Sequence, residues 1–386
     1  MNNRMVMLFV INLAVSLGFS VSDAYFSLYA AGIGARGLMF AFAVGGYFAA
    51  KILFSPFTGI LSDRLGTGCM LIAATAVYTF TSLSYVFFDD LLLIAALRIL
   101  QGLGTAVFRP VILSAAGCMA PRLRRASFMG LFDISFYLAA AAGPVLGGFI
   151  RDYYGYRGLF ILLFVLCAAA FLCAIAFSLS SGTSEAFKNK DMGFKNVLKN
   201  PVVSALIAFI IGRAFILSTI CIFLPIYLEQ KLSFSSMQIG ALMSFSTVVM
   251  IMFLRPMGLL ADHYPKNLMV ISGGFYTGLL MLFLPSAGSF SELMLVCGGI
   301  GFAGAMSQPA CSSLLIEEGE QLGLGKTAGV FNGALNIGFA LAPFLGSFVV
   351  SAYGITAVFY LAGIFGLFSM LTCSYLMISL NIFQTD

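Results

Sequence analysis

Arg98, Gln101, Thr105 and Arg109 follow one another at spacings of three, four and four inside an otherwise apolar stretch. At 100° per residue these positions fall within about 60° of one another on a helix, so the side chains form one polar stripe. Two guanidiniums, an amide and a hydroxyl in a row are groups suited to holding an anionic or zwitterionic compound. Asn12, Ser16, Asp23 and Ser27, at spacings of four, seven and four, make a second stripe, and this one carries a carboxylate. A carboxylate in apolar surroundings is a candidate proton carrier, because desolvation and a nearby arginine pull its proton affinity in opposite directions. Asp133, Arg213, Lys51 and Arg255 are further charges in apolar stretches, and Gln308 adds an amide.

Helices that cross a membrane must position these residues. The chain has 386 residues, of which 61% are hydrophobic and 9% charged. A soluble domain carries roughly 25% charged residues. Between residues 6 and 380, apolar runs recur between short polar breaks; there are twelve, each about 20 residues, enough to cross the hydrocarbon as a helix. The first run is too long for a signal peptide and lacks a cleavage pattern, so it is read as the first span. Lipid offers polar stripes no hydrogen bonds, so they must face protein or a water-filled cavity.

Asp23 and Arg98 each lie about seven residues, roughly 10 Å, from the outer ends of their spans, and this matched depth predicts that they pair. Arg109 lies deeper and Arg213 near mid-membrane, neither with an obvious acidic partner, which makes both candidates for holding substrate. Arg255 is close enough to the cytoplasmic end to snorkel, and Lys51 is read as structural. Outer loops hold Arg36, Arg151, Arg157 and Lys231, while the other loop lysines and arginines fall on the opposite side. That bias places both termini in the cytoplasm and accounts for most of the net charge of +5, so nucleic acid is not an expected partner. The eight cysteines are scattered and the one histidine, His263, sits in a loop, so neither a metal nor a cofactor is expected.

The sequence also repeats itself. "GILSDRLGTGCMLI" (59–72) matches "GLLADHYPKNLMVI" (258–271), and "GLGTAVFRP" (102–110) matches "GFAGAMSQP" (301–309). "GLFDISFYLAAAAGPVLGG" (130–148) matches "GVFNGALNIGFALAPFLGS" (329–347), and "YYG" (153–155) matches "AYG" (352–354). Every pair is offset by 199 residues, which makes the chain two halves in parallel repeat. The offset sets Gln308 opposite Arg109, Asn332 opposite Asp133 and Pro343 opposite Pro144. Parallel repeats of this kind belong to transporters whose substrate site lies near mid-membrane. The polar stretch at 181–200 reads as a cytoplasmic linker between bundles at 1–180 and 201–386.

Three motifs carry a family resemblance. Gly59, Leu61, Asp63, Arg64 and Gly66 stand between spans 2 and 3; Arg98, Gln101, Gly102, Gly104 and Ala106 in span 4; Gly143, Pro144, Gly147 and Gly148 in span 5. With them the chain resembles the major facilitator superfamily, and within it the twelve-helix drug:proton antiporters. The resemblance implies an all-α membrane protein of twelve transmembrane helices in two pseudo-symmetric six-helix bundles. It also implies that spans 1, 4, 7 and 10 line a central cavity, which would gather Asp23, Arg98, Arg109, Arg213 and Gln308. Where the motif after span 2 usually continues with two basic residues, this chain has Thr67 and Gly68.

These readings predict a secondary active transporter, not an enzyme, working by alternating access in the bacterial inner membrane. Its partners are a small-molecule substrate, protons and the lipid bilayer, and it works as a monomer. Proton-coupled efflux of an anionic, zwitterionic or amphipathic compound leads, with Asp23 and then Asp133 as proton carriers. Arg98, Gln101, Thr105, Arg109, Arg213 and Gln308 are the substrate contacts. Gating falls to Gly59, Asp63, Arg64, Gly66, Asp262, Gly143, Pro144, Gly147, Gly148 and Pro343. Import or uniport of a small anionic metabolite, or flipping of an anionic lipid, would use the same cations.

Overall fold

The computed structural model describes residues 3–119, 125–180 and 200–383, and within these every regular element is helical. The expected linker, apart from Asn200, lies outside them. Helix α1 (Asn3–Gly32) is followed by a short α2 (Gly37–Phe40), which passes through a π-helical turn (Ala41–Gly45) into α3 (Gly46–Leu65). Then come α4 (Thr67–Phe87), α5 (Leu91–Met119) and α6 (Arg125–Ser180). The second half holds α7 (Pro201–Leu232), α8 (Ser236–His263), α9 (Lys266–Phe283), α10 (Phe290–Leu322), α11 (Leu324–Tyr353) and α12 (Ile355–Phe383).

Eleven helices among the described residues are long and apolar enough to cross a membrane. One of them is double. The 56 residues of α6 are broken at Gly155, where φ is 67° and ψ −168°, a backbone region essentially reserved for glycine. Each arm is long enough to span hydrocarbon, so the described residues hold twelve segments of spanning length. Gly354, between α11 and α12, adopts nearly the same conformation (φ 83°, ψ 167°), and it is the repeat partner of Gly155. At the start of α10, Ser289 and Glu292 form a reciprocal capping box. The Glu292 carboxylate accepts from the amides of Gly288 and Ser289 at 2.8 and 3.2 Å.

The chain divides into two compact units. The first comprises Met1–Lys190 with Ser233–Ser244, the second Asp191–Leu232 with Phe245–Asp386. In the first, α1 packs on α6 along a seam of glycines. A Cβ on Gly143 would stand 2.3 Å from Ser20 Oγ, and one on Gly147 2.6 Å from the Val21 carbonyl oxygen. Only glycine admits so close an approach of two helices.

The Tyr25 hydroxyl lies 2.8 Å from both the Pro144 and the Ser236 carbonyl oxygens. Gly148 and Gly240 flank it, and a Cβ on either would meet a backbone carbonyl oxygen at 2.5 Å or less. The Asp152 carboxylate accepts from the Met237 amide at 3.1 Å, at the N-terminus of α8, where an anion is favoured. These contacts explain why Ser233–Ser244 packs with the first unit although it follows the expected boundary near residue 200. The core of the second unit is built from Leu206, Phe209, Val270, Ala310, Met370 and Cys373.

Candidate functional site

The first unit carries a polar cluster on α1, α4 and α5. Arg98 Nη1 donates to Asp23 Oδ1 at 2.8 Å and to Gln101 Oε1 at 3.0 Å. Tyr85, on α4, donates its hydroxyl to the same amide oxygen at 3.2 Å. The guanidinium carbon lies 3.3 Å from the centroid of the Phe26 ring, a stacked cation–π contact. The pair is unequally covered: the Arg98 side chain is 5% exposed, that of Asp23 40%. The cation is thus sealed into the bundle while its carboxylate stays within reach of water. Arg98 Nε is buried without a hydrogen-bond partner, so the guanidinium holds through one of its three nitrogens.

A second tier lies one to two turns further along α5. Thr105 accepts from the Tyr78 hydroxyl at 2.9 Å and donates to the Gln101 carbonyl at 3.1 Å. A side-chain hydrogen bond also joins Tyr47 to Thr105. The Arg109 guanidinium stands 4.5 Å from the Phe136 ring centroid, and its charge acts on Tyr47, Tyr78 and Lys51. In the second unit, Arg213 of α7 donates to the Gln308 amide oxygen of α10. Gly304, one turn earlier on α10, packs beside this guanidinium: a Cβ there would stand 3.6 Å from both Arg213 Nη2 and Met250 Sδ, in ordinary contact.

The structure therefore joins Asp23, Arg98 and Gln101 directly, continues the stripe through Thr105 to Arg109, and joins Arg213 to Gln308. On α1, Asn12 has a different partner from Asp23: it donates to Ser135 of α6 at 2.7 Å. Gly143, Pro144, Gly147 and Gly148 all line the α1–α6 seam, where the Pro144 carbonyl takes the Tyr25 hydrogen bond. Gly66 makes the turn between α3 and α4 with φ at 79°. The Pro343 carbonyl accepts from Ser347, and Asp262 is exposed near the end of α8. Arg255 is exposed too. The side chains of Asp133, Asp63 and Arg64, and Gly59 with them, fall outside the described ones.

Sequence reasoning missed the aromatic frame of Phe26, Tyr47, Tyr78, Tyr85 and Phe136. A signal was present: Tyr78 and Tyr85 are seven apart, hence on one helix face, and Phe26 is one turn beyond Asp23.

The family profile of the Major Facilitator Superfamily matches residues 8–323 and 212–381. An uncharacterised transporter of this type from Methanocaldococcus jannaschii is 25% identical over 375 residues, covering 93% of this chain and 96% of the relative. The multidrug resistance efflux pump PmrA of Streptococcus pneumoniae is 26% identical over 328 residues, covering 83% and 81%. A crystal structure of a POT family transporter holding a thioalcohol-conjugated peptide shares the fold with a TM-score of 0.80 at 15% identity, covering 98% of this chain and 96% of that one. Repeat, helices and buried polar cluster agree with that family, and the chain belongs to the Major Facilitator Superfamily: it is an integral membrane transporter of small molecules, not an enzyme.

Proposed function

We propose that the protein is a secondary active transporter that works by alternating access and exchanges protons for a small organic compound moving outwards. The observation that carries this reading is the Asp23–Arg98 pair, a part-exposed carboxylate on a sealed guanidinium. Such a carboxylate takes a proton from water on one side and gives it up on the other, while Arg98, Gln101 and the Phe26 stack keep its place fixed. For exchange, substrate and proton must compete. The compound therefore prefers the ionised carboxylate, offering it a cationic group or a hydrogen-bond donor, and protonation of Asp23 releases it.

Gln101, Thr105 and Arg109 in the first unit, and Arg213 and Gln308 in the second, supply the other substrate contacts. The glycines of the α1–α6 seam, with Pro144, Pro343, Gly66, Gly59, Asp63, Arg64 and Asp262, serve the conformational change. Asp133 is the alternative carrier, to which the role passes if Asp23 proves structural. Outward direction draws support from the S. pneumoniae relative, an efflux pump. The loop charges support a cytoplasmic placement of both termini, in the inner membrane of a bacterium.

The test uses liposomes loaded with a pH-sensitive dye and challenged with a panel of drugs, metabolites and chelators. In the wild type a transported compound moves protons, whereas Asp23→Asn exchanges compound across the membrane without moving them. Full proton movement in Asp23→Asn sinks the assignment of Asp23. Compound crossing in the wild type with no proton movement at all sinks the coupling.

A further inference from the structure

Lys51 is a charge that the proposed mechanism leaves unused and, unlike Arg255, it is not exposed. It lies on α3, about 14 residues or roughly 20 Å from the outer start of its span at Gly37, and so well inside the hydrocarbon. Its side chain is half-buried. Among the described residues no carboxylate lies within ion-pair distance of its ammonium, and the charge that acts on it is Arg109, of the same sign. A lysine at that depth is costly, and a second cation beside it adds repulsion. The fold does not turn Lys51 away. The π-helical turn at Ala41–Gly45 has one residue more than an α-turn, which shifts every later residue of α3 around the helix axis.

The surroundings fit an anion. Tyr47, one turn before Lys51 on the same face, and Tyr78 converge on Thr105 with their hydroxyls. Phe136 supplies an aromatic wall against the Arg109 guanidinium. Tyr78 and Thr105 spend their protons within the cluster and brace it, while two cations, the Tyr47 hydroxyl and a ring are what recognise a carboxylate or phosphate carried on an apolar or aromatic body.

We propose that Lys51 and Arg109 together form an anion-binding subsite for the transported compound. This rests on the transport reading and narrows it. Arg109 lies eleven residues from Arg98 on α5, about 16 Å along the axis, and its side chain leans back towards the outer end. The compound is then elongated and amphoteric, with its anionic end between Lys51 and Arg109 and its donor or cationic end towards Asp23.

The absence of tryptophan from the chain makes a clean test possible. Phe136→Trp places a single indole under Arg109 and keeps the cation–π contact. The purified full-length variant is titrated with benzoate, phenyl phosphate, benzamide and benzylamine while indole emission is followed. Benzoate or phenyl phosphate, whichever matches the natural group, gives a saturable change, and benzamide and benzylamine give none. Adding Lys51→Met weakens that binding by about tenfold or more, and Lys51→Arg restores most of it. Without ligand, Lys51→Met melts higher than its parent, since it removes a charge from the span that Arg109 repels.

Equal responses to benzoate and benzamide, silence with all four probes, or an unchanged titration in Lys51→Met would each overturn the proposal. The assay reads binding in detergent and needs no proton movement. Failure of coupling in liposomes with an intact benzoate titration therefore strikes the transport reading alone, and the reverse pattern strikes the subsite alone.

Discussion

Arg98 shows how much one side chain is asked to do. A single nitrogen serves both Asp23 and Gln101, and the face of the guanidinium lies on Phe26. Lysine would keep the charge and one of these contacts but not the planar stack, because an ammonium is compact and strongly hydrated. Arg98→Lys should therefore lower stability by about 1–2 kcal/mol, read as a fall in the thermal midpoint of the detergent-purified protein. A midpoint unchanged within error would mean that the stack contributes nothing. Phe26→Leu offers the complementary variant: it removes the ring and leaves the ion pair, and its loss should be smaller than that of Arg98→Lys.

Between elements the decisive residues are those with nothing on them. At Gly147 an added methyl meets the Val21 carbonyl oxygen at 2.6 Å and the Tyr25 ring at 2.8 Å, so two backbones would have to separate. Gly147→Ala is expected to cost about 1–3 kcal/mol. Gly333, on α11, has no heavy atom within 4 Å of the position a Cβ would take. There the same change only trades a poor helix former for a good one and should gain up to about 1 kcal/mol. Melting curves of the two variants side by side separate helix propensity from packing. No loss at Gly147 would show that the seam does not set the approach of α1 and α6.

For the molecule as a whole, the constant offset of 199 residues reappears in the backbone, where Gly155 and Gly354 hold the same conformation that other residues avoid. Gly155→Ala and Gly354→Ala should each cost about 1–3 kcal/mol, and by similar amounts, since the strain is the same. Thermal midpoints check this, and a large loss at one position with none at the other would deny the equivalence. Twelve spans, the repeat and the Asp23–Arg98 contact could all be read from the residues, because hydrocarbon thickness fixes length and depth in advance. Lys51 reads as structural from the sequence because its span is expected at the edge of the cavity, and the π-turn that precedes it has no signature in a simple helical periodicity. Arg213 with Gln308, and Tyr25 with Ser236, had no legible signal, since neither contact follows a repeat match and the second is made to a backbone carbonyl.

Duplication copied the scaffold but not its chemistry. The repeat partner of Asp23 is Ile222 and that of Arg98 is Cys297, so the acid–base pair exists once in a frame built twice. With Asp23 as the proposed carrier, one carboxylate accepts one proton. Exchange of a single proton for a compound of zero net charge carries one elementary charge inwards each cycle. Transmembrane voltage, about 2.3 kcal/mol per charge for every 100 mV, then adds its push to that of the pH gradient. A membrane with no pH difference but an intact potential would still expel the compound.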